Sequence, residues 1–426
     1  MTKTTTPDPQ AGAESIASFG ARAKAWAQEN LLPSAPSPSD NEIEHFTPEV
    51  MAANRALQRR LFEGGFAGIT WPKEFGGGGL SPAHEEAFLV ATKGYQLPDF
   101  GLLSDTTFST CVPTMIAHAS AQFLERLVPR VLQGEILVCQ FFSEPEAGSD
   151  LAAARTRATR QAEGWIIDGQ KIWSSWAHLA DWGMCLARTD WDAPKHSGLT
   201  WFAIPCNAPG LTIRPIRQIG GGVEFCEEFF TSVVVPDTDR IGDVNDGWQV
   251  TQTMLFFERG AGRATNDGEL VGPGVLPQDL VGLATRTRSK GDERVRQLIA
   301  TAHSNDFVGR ALWNRIAAIS RSGDANPGVA AYGKLFSGTY LPIRARIGVD
   351  IGGALAMSWL DSEPDGEATS VAYLRGRTQA IAGGTNEMQR NAIAERALGM
   401  PRDPNPSVRK PFAEVIHASR RSAGEE

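Results

Sequence analysis

Three short segments of this sequence carry residues that could bind a ligand and act on it. Residues 142–150 follow an apolar run and combine glycine with hydroxyl and carboxyl side chains, so their backbone N–H groups could bind ring carbonyls or phosphate oxygens. Residues 171–176 place two tryptophans beside two serines, which suits a planar aromatic ligand that is stacked and hydrogen-bonded at its rim. Residues 381–390 include Gly383 and Gly384, which allow close backbone approach, and then a helix start that can receive an anion. Each segment also has a simpler structural explanation: a turn for 142–150, an amphipathic strand for 171–176 and a capped helix for 381–390. When each of the first two segments is considered by itself, the structural explanation is the better one.

The elements that must position these segments change along the chain. Residues up to about 135 have helical periodicity, and Thr47-Pro48 is a helix start with an N-cap hydroxyl and a proline in the first turn. From Ile136 short β-prone runs alternate with turns, and Asp168-Gly169 is a hairpin signal. After Asp237 the pattern is helical again. We therefore predict an α+β multidomain protein with helical, β and helical domains in that order, the β domain being a small barrel or sandwich.

Composition excludes several classes of protein. The chain has 426 residues and a formal net charge of −8, which disfavours a general binder of nucleic acid or anionic membranes. No apolar run approaches the roughly 18 residues of a membrane span, and the Thr/Pro-rich start lacks a signal-peptide core, so we expect no membrane insertion. The five cysteines form no C-x-x-C pair, and the histidines lack metal-ligand spacing. We predict a cytoplasmic protein with reduced thiols and no metal.

Taken in order, these segments resemble the acyl-CoA dehydrogenase family over nearly the whole chain. Residues 71–77 are similar to the family's N-domain loop, 142–150 to its flavin- and substrate-contacting loop, 173–175 to its second flavin strand, and 383–396 to its C-terminal signature. The resemblance implies an N-terminal helical domain, a central antiparallel β-barrel and a C-terminal four-helix bundle. It also implies FAD bound at a subunit interface, which needs no G-x-G-x-x-G motif. The boundaries that we predict are 1–136, 137–238 and 239–426.

The resemblance also implies a set of cofactor and substrate residues. Trp173 would pack beside the flavin, Ser175 would hydrogen-bond near its N5, and a glycine pair would contact FAD of the neighbouring subunit. The cofactor set is Phe142, Ser143, Ser149, Trp173, Ser174, Ser175, Gly352, Gly353, Thr385, Asn386 and Glu387. The substrate set is Ser149, Arg259, Gly383 and Gly384.

The position of the catalytic base follows from a departure within the signature. Many members carry a glutamate directly before the Gly-Thr pair, where this chain has Gly383. A minority, including isovaleryl- and long-chain-type enzymes, place the base on the first bundle helix, where this chain has Glu258. The resemblance therefore implies that Glu258 removes the α-proton of an acyl-CoA while FAD accepts the β-hydride. The alternative is that Glu258 forms an ion pair on a solvated helix face.

The implied function is dehydrogenation of a long, branched or polycyclic acyl-CoA to a trans-2-enoyl-CoA. The implied partners are an electron-transfer flavoprotein and further subunits, in a homodimer, a homotetramer or a heterotetramer with a paralogue. Two other functions stay open: a flavin monooxygenase or oxidase on the same fold, and a catalytically silent scaffold subunit. The sequence departs from the family in lacking the R-x-x-F-G segment between Thr285 and Ala302 and in carrying a Gly/Pro-rich insertion at 268–277.

Overall fold

The computed structural model describes residues 14–34, 46–258, 279–322, 328–359, 364–402, 404 and 407–416. These residues belong to two compact units. The first contains residues 14–34, 46–101 and 121–137, and the second contains 102–120 and the described residues from 138 onward. No helix in these ranges is both long enough and apolar enough to span a membrane.

Helices form most of the first unit and the C-terminal part of the second. The α-helices in the described residues are α1 (Ile16–Asn30), α2 (Pro48–Glu63), α3 (Pro82–Ala91), α4 (Leu102–Ser104), α5 (Val112–His118), α6 (Ala121–Leu132), α7 (Gly247–Glu258), α8 (Leu280–Arg286), α9 (Glu293–Ser322), α10 (Val329–Gly352), α11 (Pro364–Gly376) and α12 (Asn386–Ala392). Two π-helical segments, Asp105–Cys111 and Ile393–Ala397, adjoin α5 and α12.

The first unit is helical, as the sequence predicts. The Thr47 hydroxyl accepts a hydrogen bond from the backbone N–H of Val50 at 3.3 Å, so the predicted cap starts α2. The core of this unit includes Phe19, which is fully buried and meets the ring of Phe66 edge-on with 5.7 Å between centroids. Phe66 also stacks on Phe88 of α3, at 5.3 Å. Burial of these aromatic faces fixes the helices around one core.

The central part of the second unit is an eight-stranded sheet. Its strands are β1 (Val138–Phe141), β2 (Arg157–Gln161), β3 (Gly164–Ser175), β4 (Trp182–Arg188), β5 (Leu199–Pro205), β6 (Leu211–Ile216), β7 (Phe225–Pro236) and β8 (Arg240–Ile241). The order is β6-β7-β3-β2-β4-β5-β8, and β1 pairs in parallel with β4. The longest ladder joins β3 and β7 in antiparallel register.

The prediction of a closed antiparallel barrel is wrong, because the sheet stays open. Strands β6 and β8 stand at its two ends, and they are not paired with each other in the described residues. Strand β8 has two residues, too few to form a closing ladder. Strand β6 contains Pro215, which lacks the N–H needed on an inner strand and is tolerated at an edge. The parallel pairing of β1 also makes the sheet mixed.

The C-terminal part of the second unit is helical, as predicted, and α10 is its centre. This helix packs against α8, α9, α11 and α12. Buried residues of the contact between α8 and α10 include Leu283, Ala284, Ile347 and Ile351. Because α10 touches four other helices, it fixes the positions of the loops at their ends.

Candidate active site

The structure brings the glutamate at the end of α7 next to the loop before α12. Gly383 in that loop has φ of 62°, a conformation that glycine adopts without strain. A Cβ atom added to Gly383 would lie 3.5 Å from Oε1 of Glu258 and 3.3 Å from Cε of Lys334. Glu258 is exposed, so a ligand can reach its carboxylate. The carboxylate of Glu258 thus lies beside the space that a side chain at position 383 would enter.

Lys334 of α10 is the third member of this cluster. Its Nζ donates a hydrogen bond to the carbonyl oxygen of Gln379 at 2.5 Å, in the segment that leads to Gly383. Burial lowers the pKa of Lys334, whereas the carboxylate of Glu258 raises it. Our sequence reasoning missed this lysine. The available signal was that Lys334 is the only charged residue between positions 329 and 343.

The loop before α12 is held by a side chain of α12 itself. Gln389 Nε2 donates to the carbonyl oxygens of Gly383 and Gly384, at 3.1 Å each. Thr385 caps the helix, and its hydroxyl accepts from the N–H of Met388 at 3.2 Å. Gln389 is 2% exposed, so these hydrogen bonds are shielded from water. Gln389 fixes the two glycines and was not identified from the sequence.

A cavity of about 360 Å³ lies between α10 and the start of α12. Arg346, Arg377 and Arg390 line it together with Asn386. Asn386 Nδ2 donates to the carbonyl of Gly338 at 3.2 Å, while its Oδ1 is buried and has no hydrogen-bond partner within the described ranges. Arg346 is paired with Asp350 and Arg390 with Glu387, so the arginines add positive charge to a cavity wall that also contains Pro342, Ile343 and Ala380.

The segments 142–150 and 171–176 lie side by side in the second unit. The N–H of Ile172 donates to the carbonyl of Ser143 at 3.0 Å. Lys171 Nζ donates to the carbonyl of Phe142 at 2.9 Å and to Oε1 of Glu144 at 2.8 Å. Lys171 is fully buried and Glu144 is 7% exposed. Burial opposes the ionisation of Glu144, but its pKa is lowered overall because Lys171 stabilises the carboxylate. A buried ion pair therefore fixes the loop to β3.

A β-bulge in β3 separates the side chains of three consecutive predicted residues. The register with β7 shifts between Ile172 and Ser174, and Trp173 has φ of 70°. The Trp173 side chain is 55% exposed, whereas Ser174 is buried and donates to Oε2 of Glu228 at 2.9 Å. Ser175 is half-buried. The bulge thus leaves the indole of Trp173 exposed and turns the Ser174 hydroxyl into the protein.

Glu224 connects β3 to the C-terminal helices. Its carbonyl oxygen accepts from the N–H of Trp176 at 2.6 Å, and its Oε1 pairs with Nη2 of Arg375 at 2.5 Å. Glu224 is 5% exposed, so this ion pair is shielded. Arg375 lies in the last turn of α11, shortly before the loop of Gly383. The three segments singled out from the sequence are therefore parts of one compact unit.

The remaining predicted residues are exposed, lie far from Lys334 along α10, or fall outside the described residues. Ser149 is exposed, and Glu387 is exposed and pairs with Arg390 at 3.5 Å. Gly352 ends α10 and Gly353 caps it with φ of 53°, roughly 27 Å along the helix from Lys334 at 1.5 Å per residue. Arg259 and the insertion at 268–277 lie outside the described residues.

Comparison with known protein families gives matches along most of the chain. The acyl-CoA dehydrogenase N-terminal domain model matches residues 14–135, the middle domain model matches 139–233, and the C-terminal domain model matches 245–398. The family resemblance noted from the sequence is thereby confirmed.

Individual relatives agree with these matches. Acyl-CoA dehydrogenase IpdE1 of Mycobacterium tuberculosis is 35% identical over 392 residues, which cover 92% of this chain and 99% of that protein. Acyl-CoA dehydrogenase FadE34 of the same organism is 37% identical over 85% of this chain, and the match spans about half of FadE34, 49% of its length. Among solved structures, the Tcur3481-Tcur3483 steroid ACAD superimposes with a TM-score of 0.67 at 25% identity, over 92% of this chain and 99% of that chain.

Proposed function

Because the chain belongs to the acyl-CoA dehydrogenase family of oxidoreductases that act on CH–CH groups, we propose that it converts an acyl-CoA thioester to a trans-2-enoyl-CoA with Glu258 as the base. The observation that carries this proposal is the 3.5 Å between Oε1 of Glu258 and a Cβ atom placed on Gly383. Position 383 is where many family members carry the base. A carboxylate that reaches the same place from α7 can act on the same substrate atom.

The reaction needs a base and a polarised carbonyl on one side of the substrate. An α-C–H bond beside a thioester is a weak acid, so negative charge that develops on the carbonyl oxygen must be stabilised. The backbone N–H of Gly383 is the donor that we assign to this oxygen, and Gln389 and Lys334 hold the loop that carries it. Glu258 takes the α-proton.

FAD is the cofactor that we propose, and the residues present fit it. The exposed indole of Trp173 suits an isoalloxazine ring, and the hydroxyl of Ser175 lies beside it on β3. The cavity with three arginines in its lining carries positive charge that can attract the phosphates of a dinucleotide. FAD supplies a hydride acceptor when bound.

For the substrate we propose the polycyclic class among the long, branched and polycyclic acyl groups considered above. The support is the similarity to the Tcur3481-Tcur3483 structure, whose name describes a steroid acyl-CoA dehydrogenase.

The same reasoning extends to assembly and location. We propose that the protein forms an oligomer, which is a homodimer, a homotetramer or a heterotetramer with a paralogue. We also propose an electron-transfer flavoprotein as the electron acceptor and a cytoplasmic location. Large apolar side chains that are exposed on the C-terminal helical region, such as Met357 at 79% and Leu398 at 65%, support further subunit contacts. We keep the three domains 1–136, 137–238 and 239–426 with a four-helix C-terminal bundle, since each family model falls within one of these ranges.

The test is Glu258→Gln, which keeps the shape of the side chain and removes the base. We expect the FAD absorbance spectrum to be retained and the rate of flavin bleaching by a steroid-derived acyl-CoA to fall by about 10²–10⁴-fold. Glu293→Gln, at an exposed position of α9, is the matched control and should bleach at the parent rate.

Three outcomes would contradict the proposal. Full turnover by Glu258→Gln would remove the assignment of the base. Oxygen consumption by the reduced enzyme, without turnover of an artificial electron acceptor, would indicate a monooxygenase or oxidase. A parent protein that binds little FAD when it is purified alone would indicate a silent scaffold subunit.

A further inference from the structure

Lys334 lies beside the two groups to which we assign the chemistry. Its Cε lies 3.3 Å from a Cβ atom placed on Gly383, and Oε1 of Glu258 lies 3.5 Å from the same point. Cε of Lys334 and Oε1 of Glu258 are therefore at most about 7 Å apart, and the carboxylate raises the pKa of Lys334, so the two charges interact. The hydrogen bond from Nζ to the Gln379 carbonyl orients this end of the side chain.

Lys334 is a basic group of the described residues whose pKa the charge of Glu258 raises, and two other titratable groups lie on elements packed against α7. Cys111 faces it from the π-helical segment Asp105–Cys111, but burial first and then Glu258 raise the pKa of this thiol, which stays neutral. His118 of α5 contacts α7 through Thr253, with 2.7 Å from Nε2 to Oγ1, and burial lowers the pKa of this histidine. Neither group supplies a positive charge at neutral pH.

We propose that Lys334 is a positioning residue for the reaction: its ammonium holds Glu258 in the charged, proton-accepting form, and its hydrogen bond to Gln379 fixes the loop that presents the Gly383 N–H. This inference rests on the proposed role of Glu258. One side chain then couples the base to the donor for the thioester oxygen. The coupling has a physical reason, since a carboxylate beside a cation keeps its charge to lower pH than a carboxylate without one.

The experiment compares Lys334→Met, which removes the charge at similar length, with Lys334→Arg, which keeps the charge. Lys290→Met, at an exposed position before α9, is the matched control for loss of a lysine. The measurement is the pH dependence of kcat/KM for flavin reduction in the FAD-loaded enzyme. We expect the acid limb of Lys334→Met to move to higher pH by about one unit. Below that limb kcat/KM should fall about tenfold, and Lys334→Arg and Lys290→Met should keep the parent profile.

A second measurement reads the carboxylate without turnover. Subtracting the infrared spectrum of Glu258→Gln from that of the parent isolates the signal of this one carboxylate, which can be followed during a pH titration. The corresponding difference between Lys334→Met and the double variant with Glu258→Gln should titrate at higher pH. If Lys334→Met does not bind FAD, Lys334→Gln replaces it, because glutamine keeps an N–H donor and carries no charge.

The outcomes separate this inference from the proposed function. If Glu258→Gln is inactive and neither the pH profile nor the infrared titration moves in the uncharged Lys334 variants, the role of Lys334 is wrong and Glu258 remains the base. If Glu258→Gln is fully active, the proposed function fails first. An equal reduction of kcat/KM at every pH would assign Lys334 to structure alone and overturn its electrostatic role.

Discussion

Glu228 offers the sharpest quantitative prediction, since its buried carboxyl group accepts a hydrogen bond from Ser174, the residue after the exposed Trp173. Glu228 is fully buried, accepts one hydrogen bond from Ser174 at 2.9 Å, and leaves its Oε1 without a hydrogen-bond partner in the described ranges. Burial raises the pKa of Glu228 to about 7, although Ser174 and the nearby Lys171 act in the opposite direction. The perturbation that we propose is Glu228→Gln, which has the same size and no charge at any pH.

The sign and size of the effect follow from this pKa. In the unfolded chain the pKa of Glu228 is close to the ordinary 4.5. The folded protein therefore binds this proton more tightly than the unfolded chain does. The neutral carboxyl therefore contributes stability fully below about pH 4.5, and this contribution is lost as the pH rises through about 7. A difference of about 2.5 pH units, at 1.36 kcal/mol each, corresponds to about 3 kcal/mol. Glu228→Gln should unfold like the parent at pH 5 and be more stable at pH 8 by up to about this amount.

The assay is urea unfolding followed by circular dichroism at pH 5, 6, 7 and 8, with the midpoint of the parent subtracted from that of the variant at each pH. Glu163→Gln, at an exposed position between β2 and β3, is the control and should show no such trend. A difference between Glu228→Gln and the parent that is constant across this pH range would refute the reasoning. An equal trend in Glu163→Gln would show that the effect does not come from burial of Glu228.

Three further variants test the packing around the site. Gly383→Ala places a side chain at φ of 62°, which should lower the free energy of unfolding by about 1–2 kcal/mol and slow flavin reduction. A melting temperature equal to that of the parent would contradict backbone strain at this position. Lys171→Met leaves Glu144 buried without its cation and should lower the free energy of unfolding by about 3–5 kcal/mol in urea, whereas adding Glu144→Gln should recover part of this loss. Gly183→Ala would force a Cβ atom into the ring of Phe141, so we expect a lower yield of soluble protein, and Phe141→Leu in the same chain should restore it if the clash is the cause.

The sequence made several local features predictable because each depends on neighbouring residues, but the hairpin turn at Asp168-Gly169 is wrong, since β3 runs through these residues with only a register shift against β7. The Thr47-Pro48 start of α2 needs only a hydroxyl and a proline in the first turn, and Thr385 caps α12 by the same local rule. The change from helices to strands after Ile136 was visible as a change in periodicity. The closure of the sheet was not predictable in this way, since it depends on whether the two end strands β6 and β8 meet in space, which no local pattern records.

The sequence by itself determined the order of the elements, the ordered motifs that resemble the family, and the pairing of Gly383 with a glutamate on α7. Only the tertiary structure decided which charges surround that pair. Lys334 lies 76 residues after Glu258 and 49 before Gly383 in the numbering of the chain, yet its side chain and that of Glu258 both lie beside Gly383. Coulomb interactions depend on distance in space and on burial, and neither quantity can be read from positions along the chain.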